Sequence, residues 1–231
     1  MSERCVGVVV RGACAAVLGM GAWTAAVGDL GAQEPQRIPT IPAGVPAVVL
    51  PLQSARPTAG GAWPGGGANE RSAIDQFDAE LAFALGEEEG ARSWALPGDV
   101  EDRLARNPMI RVDAARLAYH GLLRAPEDRA QIYEPLHSQL RQIAALFDAR
   151  IVILPLAMWY EPPTEEARAA AAAAGRAEPL EGRAVVLTAI IDIRRSAVLW
   201  HGLIWGSEAE APAREALTTL ALRAAAQLAP S

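Results

Sequence analysis

The hydrophobic pattern is densest in residues 183–205 (RAVVLTAIIDIRRSAVLWHGLIW), where two apolar runs rich in β-branched residues flank a polar interruption at residues 192–196. That pattern predicts an antiparallel hairpin. The first arm, residues 184–191, is apolar at nearly every position, so both of its faces should be covered and it should be an interior strand. Three further apolar runs read as strands: residues 45–52 (VPAVVLPL), 91–96 (ARSWAL) and 151–160 (IVILPLAMWY). Pro155 lacks a ladder donor and predicts a bulge or an unpaired edge in the last of these.

Between the strands the period changes. Ile74, Phe77, Leu81 and Leu85 form one stripe and predict a helix over residues 70–86, with Ser72 and Asp75 resembling a capping box. Short helical pieces are expected at residues 100–105 and 113–123. Leu136, Leu140, Ile143 and Phe147 make the second half of residues 126–147 amphipathic, and Leu217, Leu220, Ala224 and Leu228 do the same for residues 213–228.

Helical crossovers imply parallel neighbours and the tight turn an antiparallel pair. The expectation is therefore an α/β fold: a single domain with a mixed five-stranded sheet, order 2-1-3-4-5, three parallel strands plus a C-terminal antiparallel hairpin, and helices packed on it. Val48, Leu50, Ile153, Val186, Ile190 and Leu199 should be its core. In the last strand, simple alternation places His201 with Leu199, Leu203 and Trp205, and Trp200 with Val198 and Ile204.

Arg4 and Arg11 precede an apolar run at residues 13–27 that ends among small residues, which is the pattern of a secretory signal peptide over residues 1–33. The run is shorter than the roughly 20 residues of a spanning helix. No stable membrane insertion is expected after cleavage. Residues 34–44 are a Pro-rich lead-in, 45–230 the α/β domain, and 161–182 a low-complexity, Ala-rich insert expected to be a marginal helix or a disordered excursion. Both cysteines, Cys5 and Cys14, lie in the leader, so the mature chain would have no disulfide, thiol nucleophile or cysteine metal site.

Charge narrows the function further. The chain carries a formal net charge of -6, and all 21 of its basic residues are arginine. No basic face is available for nucleic acid, and lysine chemistry is excluded. The Gly-rich loop at residues 53–69 lacks a phosphate-cradle motif and reads as a surface loop carrying Trp63. None of the three histidines, His120, His137 and His201, has metal-ligand spacing. His137 adjoins Ser138, but neighbouring helix positions diverge, so those two are not a nucleophile and its base. Asp192 sits at a turn, where Asp bonds its own backbone. No catalytic, metal or cofactor-binding residue is assigned, and no cofactor is expected.

The order of elements, together with Val48-Val49-Leu50-Pro51-Leu52 in the first strand, Asp148-Ala149-Arg150 before the third, and Asp192 with Val198-Leu199-Trp200 in the hairpin, resembles the envelope α/β domains typified by the TolB amino-terminal domain and its relative in the curli-secretion channel. Arg195 and Ser196 stand where a Thr-Gly pair is usual. The resemblance implies a non-enzymatic, exported protein-interaction module of the bacterial envelope, periplasmic or secreted, an accessory to envelope assembly or export. Its partners would be other envelope proteins, with self-association left open. Trp63, Trp159, Tyr160 and Trp205 are the candidate contact residues, since aromatics are enriched at interfaces. The alternative is a secreted hydrolase or small-ligand binder with a site assembled from distant residues, for which His201, His120 and Asp192 are the first suspects.

Overall fold

The computed structural model describes residues 38–57, 63, 69–124, 131–161, 163–175, 183–206 and 213–229. The expected leader at 1–33, the start of the lead-in and parts of the Gly-rich loop and the Ala-rich insert lie outside the described residues. The elements are β1 (Ala47–Val49), α1 (Glu70–Glu87), α2 (Pro97–Ala105), α3 (Leu136–Leu146), β2 (Ile151–Glu161), α4 (Glu165–Ala173), β3 (Arg183–Asp192), β4 (Ala197–Trp205) and α5 (Ala213–Leu228). Short 3-10 turns occupy Glu89–Ala91 and Tyr119–Leu122.

Among the described residues the sheet has four strands in the order β1-β2-β3-β4. β1 is parallel to β2, and the remaining pairs are antiparallel. This corrects the expected five strands with three parallel. Residues 91–96 contribute a single parallel bridge, Ala95 to Val48, in which the Val49 N–H donates to the Ala95 carbonyl at 2.8 Å and the Ala95 N–H to that of Ala47 at 3.0 Å. The chain keeps turning beyond the 3-10 helix, with the Trp94 N–H donating to the Ala91 carbonyl at 2.9 Å, and Pro97 opens α2, so only Ala95 and Leu96 are left to run alongside β1. As expected, β3 lies between β2 and β4, buried from Ala184 through Asp192.

Two bulges decide which side chain faces which layer. In β2 the register shifts between Pro155 and Ala157, where the missing proline donor predicts an irregularity. Before it, Ile151 and Ile153 face one core and Val152 and Leu154 the other. Beyond it the even-numbered Met158 and Tyr160 face the first core and Trp159 the second. In β4 the shift lies opposite Ile190 and Ile191, which pair with Trp200 and Val198. Leu199 is the extra residue and is 42% exposed, a correction to its expected burial. The same bulge puts Val198 and Trp200 on opposite faces, where simple alternation puts them together.

The first core joins the sheet to α1 and α5 through Phe77, Leu81, Leu85, Leu217, Leu220 and Leu228. The second joins it to α2 and α3 through Val100, Leu140 and Ile143. The N-terminus of α1 is capped three residues earlier than expected. Asn69 accepts from the Ser72 N–H at 2.9 Å and donates its own N–H to Ser72 Oγ at 3.1 Å, closing the capping box. Of the helical piece expected at 113–123 only the 3-10 turn at Tyr119–Leu122 forms, because the buried Gln53 holds that segment in loop form: its amide donates to the Ala114 carbonyl at 2.9 Å and accepts from the Leu117 N–H at 2.9 Å. Within the Ala-rich insert, α4 is helical, in line with its propensity.

Candidate functional site

The four aromatic residues singled out in the sequence fall into two pairs separated by the sheet. Trp63 and Tyr160 are partly buried against the core that carries α1 and α5, whereas Trp159 packs against the other core. Register explains where Trp205 goes. Trp159 pairs with Val185, and Val185 with Trp205, so the three form one row across β2, β3 and β4, and residues directly opposite share a face. The next row begins with Glu161 opposite Arg183. Arg183 donates from Nε and Nη2 to Glu161 Oε2 at 2.9 and 2.7 Å, and its guanidinium lies 5.6 Å from the Trp205 ring centroid. Trp159, Leu203 and Trp205 are all partly exposed. The result is an aromatic patch at the end of the sheet, edged by an ion pair. Trp205 Nε1 has no hydrogen-bond partner among the described residues.

The polar suspects do not converge. His201 is 8% exposed, and its Nε2 lies 2.7 Å from the Leu122 carbonyl, tying β4 to the 3-10 turn beneath it. Burial pushes its pKa down, opposed by hydrogen bonds to Leu122 and to its own backbone, so the ring is neutral and donates from Nε2. His120 is exposed and stacks on Tyr119, with ring centroids 4.7 Å apart. Asp192 is buried at the hairpin turn, as its turn role predicts: Oδ1 accepts from the Arg194 and Arg195 N–H groups at 3.0 and 3.2 Å. Sequence reasoning missed its second partner, Arg150, which donates from Nε at 3.1 Å and Nη2 at 2.8 Å to Oδ2. Burial raises the Asp192 pKa, but the hydrogen bonds from Arg150 and the turn outweigh it and hold the carboxyl below its ordinary range.

Three other groups had no sequence signal. Asp78 on α1 accepts from the Leu52 N–H at 2.9 Å, and its pKa is raised to about 7 by burial, with the charges of Glu101 and Asp75 adding to the rise. An open groove of about 350 Å³ is lined by Glu101, Leu104, Ile110, Val112 and Asp113, and holds none of the suspects. His137 meets Ser196 rather than Ser138, with Nε2 and Oγ 2.7 Å apart, and its Nδ1 lies 3.5 Å from Glu134 Oε1. No cluster of three His, Cys, Asp or Glu among the described residues could hold a metal ion. Nor is any described helix long and apolar enough to cross a membrane.

No family model matches the chain, and no curated protein matches it. Among solved structures it is similar to the LpoB C-terminal domain from Salmonella enterica, at 11% identity and a TM-score of 0.37, covering 71% of this chain and 84% of that one. It is also similar to the PelC dodecamer from Paraburkholderia phytofirmans, at 14% identity and a TM-score of 0.36, covering 83% and 93% respectively. Both likenesses concern the fold alone.

Proposed function

We propose that this chain is an exported interaction module of the bacterial envelope, and that it binds another envelope protein through the aromatic end of its sheet rather than acting on a substrate there. The observation that carries this reading is the row Trp159, Val185, Trp205, with two partly exposed indoles beside a buried valine and the Glu161–Arg183 pair at the edge. Large, rigid aromatics surrounded by polar groups are what interface hot spots are made of, because they shed much water on contact at little cost in side-chain entropy. Export is supported by the leader-like residues 1–33 and by a remainder free of cysteine. The TolB-like resemblance supports the same compartment.

Comparison of partners recovered from envelope extract by wild type, Trp159→Ala, Trp205→Ala and Tyr160→Ala tests it. The first two substitutions should each weaken recovery of a shared partner by tenfold or more, equivalent to about 1.4 kcal/mol, while Tyr160→Ala on the opposite face leaves it unchanged. Equal recovery by all four proteins would remove the patch from consideration.

A further inference from the structure

The hairpin turn at the other end of β3 and β4 holds a second arrangement that the aromatic patch does not use. Asp192 lies seven positions along β3 from Val185, about 23 Å, so this site is independent of the proposed interface. There Ser196 Oγ lies 2.7 Å from His137 Nε2, although the two are 59 positions apart in the chain. Glu134 Oε1 is 3.5 Å from His137 Nδ1, and Glu134 is itself fixed by Ser138, whose Oγ donates to Oε1 at 2.9 Å and whose N–H donates to Oε2 at 3.3 Å. Those bonds from Ser138, the side-chain bond foremost, hold the Glu134 carboxyl below its ordinary range, so it is ionised. A carboxylate beside Nδ1 favours the tautomer with its proton on that nitrogen, leaving Nε2 to accept from the serine hydroxyl. Ser196 is partly exposed and the His137 side chain is 20% exposed, so the hydroxyl is within reach of a solute.

We propose that Ser196 is an activated surface hydroxyl that takes an acyl group from reactive esters, with His137 as its base and Glu134 as a positioning residue. As Ser196 Oγ bonds to the acyl carbon its proton passes to His137 Nε2. The bond from the acyl carbon to the donor's alkoxy oxygen then breaks, and the departing alcohol takes the proton back from Nε2. Ser196 is left as an ester and the imidazole neutral. Hydrolysis of that ester by water is slower than its formation, because the serine alkoxide is a poorer leaving group than the alcohol of a reactive ester, and the turn offers no free N–H to the oxyanion of either step: those of Arg194 and Arg195 are bound to Asp192, and that of Ser196 donates to the Ile193 carbonyl at 3.3 Å. The arrangement therefore predicts one acylation per chain rather than turnover. Arg194 and Arg195 are exposed on the same turn and favour donors that carry negative charge.

The test uses the mature chain with p-nitrophenyl acetate, following nitrophenolate release together with intact mass and peptide mapping. A stoichiometric burst with a single acetyl group on Ser196 is expected. Ser196→Ala should abolish it, and His137→Gln should slow it on the order of 10²-fold. Glu134→Gln should slow it less and displace the pH profile of labelling, which a merely structural role would not do. Glu134 is the charged group beside the imidazole; the two segments that meet there also carry Arg141, on the helix of His137, and Asp192, Arg194 and Arg195, on the turn. Acetylation spread over several hydroxyls, a burst that survives Ser196→Ala, or no burst above the reaction of the unfolded chain would each overturn the proposal. Ser196→Ala decides the matter by itself if His137→Gln fails to fold.

Discussion

Arg150, at the head of β2, and Asp192, at the end of β3, are joined by two hydrogen bonds to a single carboxylate oxygen, at 3.1 and 2.8 Å. The Asp192 side chain is 1% exposed and that of Arg150 42%. Two short motifs that the sequence presents 42 positions apart are thus one structural unit, since the same Asp192 also holds the turn that leads into β4. Removing Asp192 strands a guanidinium and two N–H groups, so Asp192→Ala should cost roughly 2–4 kcal/mol by chemical denaturation. Arg150→Ala should cost about 1–2 kcal/mol, because the carboxylate keeps its turn donors and the guanidinium is already half hydrated. Since the Asp192 pKa is lowered on folding, its contribution is complete above the unfolded value of about 4 and is lost as pH falls through the folded one. Asp192→Asn should flatten that acid limb.

Asp78 and His201 should tilt stability in opposite directions. The Asp78 pKa is about 7 in the folded chain, so the folded state holds a proton that the unfolded carboxyl releases near pH 4. Its contribution is full below about pH 4 and disappears as pH rises through about 7. Asp78→Asn should therefore equal wild type at low pH and exceed it by roughly 1–3 kcal/mol at about pH 8. The His201 pKa is lowered, so its contribution is present above about 6.5 and is lost as pH falls below it. His201→Gln should remove that loss. Denaturant titrations of both variants across this range would show whether the two slopes separate.

Gly202 makes room for Trp200. A Cβ at residue 202 would lie 2.7 Å from Cζ2 of the Trp200 indole, which is buried in the core that carries α5. Gly202→Ala should displace the ring and cost about 1–3 kcal/mol, read as a lower denaturation midpoint with unchanged slope. Leu199→Ser, two strand positions before His201 but on the bulge, should change stability by no more than about 0.5 kcal/mol.

Periodicity made α1, α5 and the interior place of β3 legible, because Phe77, Leu81, Leu217 and Ile190 bury surface at the spacing their element dictates. The failures have equally local causes. Ala95 pairs beside Val48 as expected, but a 3-10 turn and a helix-opening proline leave it without strand neighbours. Leu199 is exposed and Val198 parts from Trp200 because a bulge breaks the period of two. The same effect at Pro155 sets Trp159 and Tyr160 on their observed faces; the proline announced the irregularity, but not its consequence for residues beyond it. At the site level, the pairing of Trp159 with Trp205 across Val185 and the contact of Ser196 with His137 depend on register and tertiary packing, which no spacing along the chain encodes.

Site-specific photo-crosslinking in the living cell tests the proposed interface most directly. A photoreactive side chain at residue 203, partly exposed and two positions before Trp205 on β4, should give one discrete adduct, and Trp159→Ala should weaken it. The same probe at residue 83, where Phe83 is 69% exposed on α1, should give none. An adduct from residue 83 that matches the one from residue 203, or none from residue 203, would contradict the account.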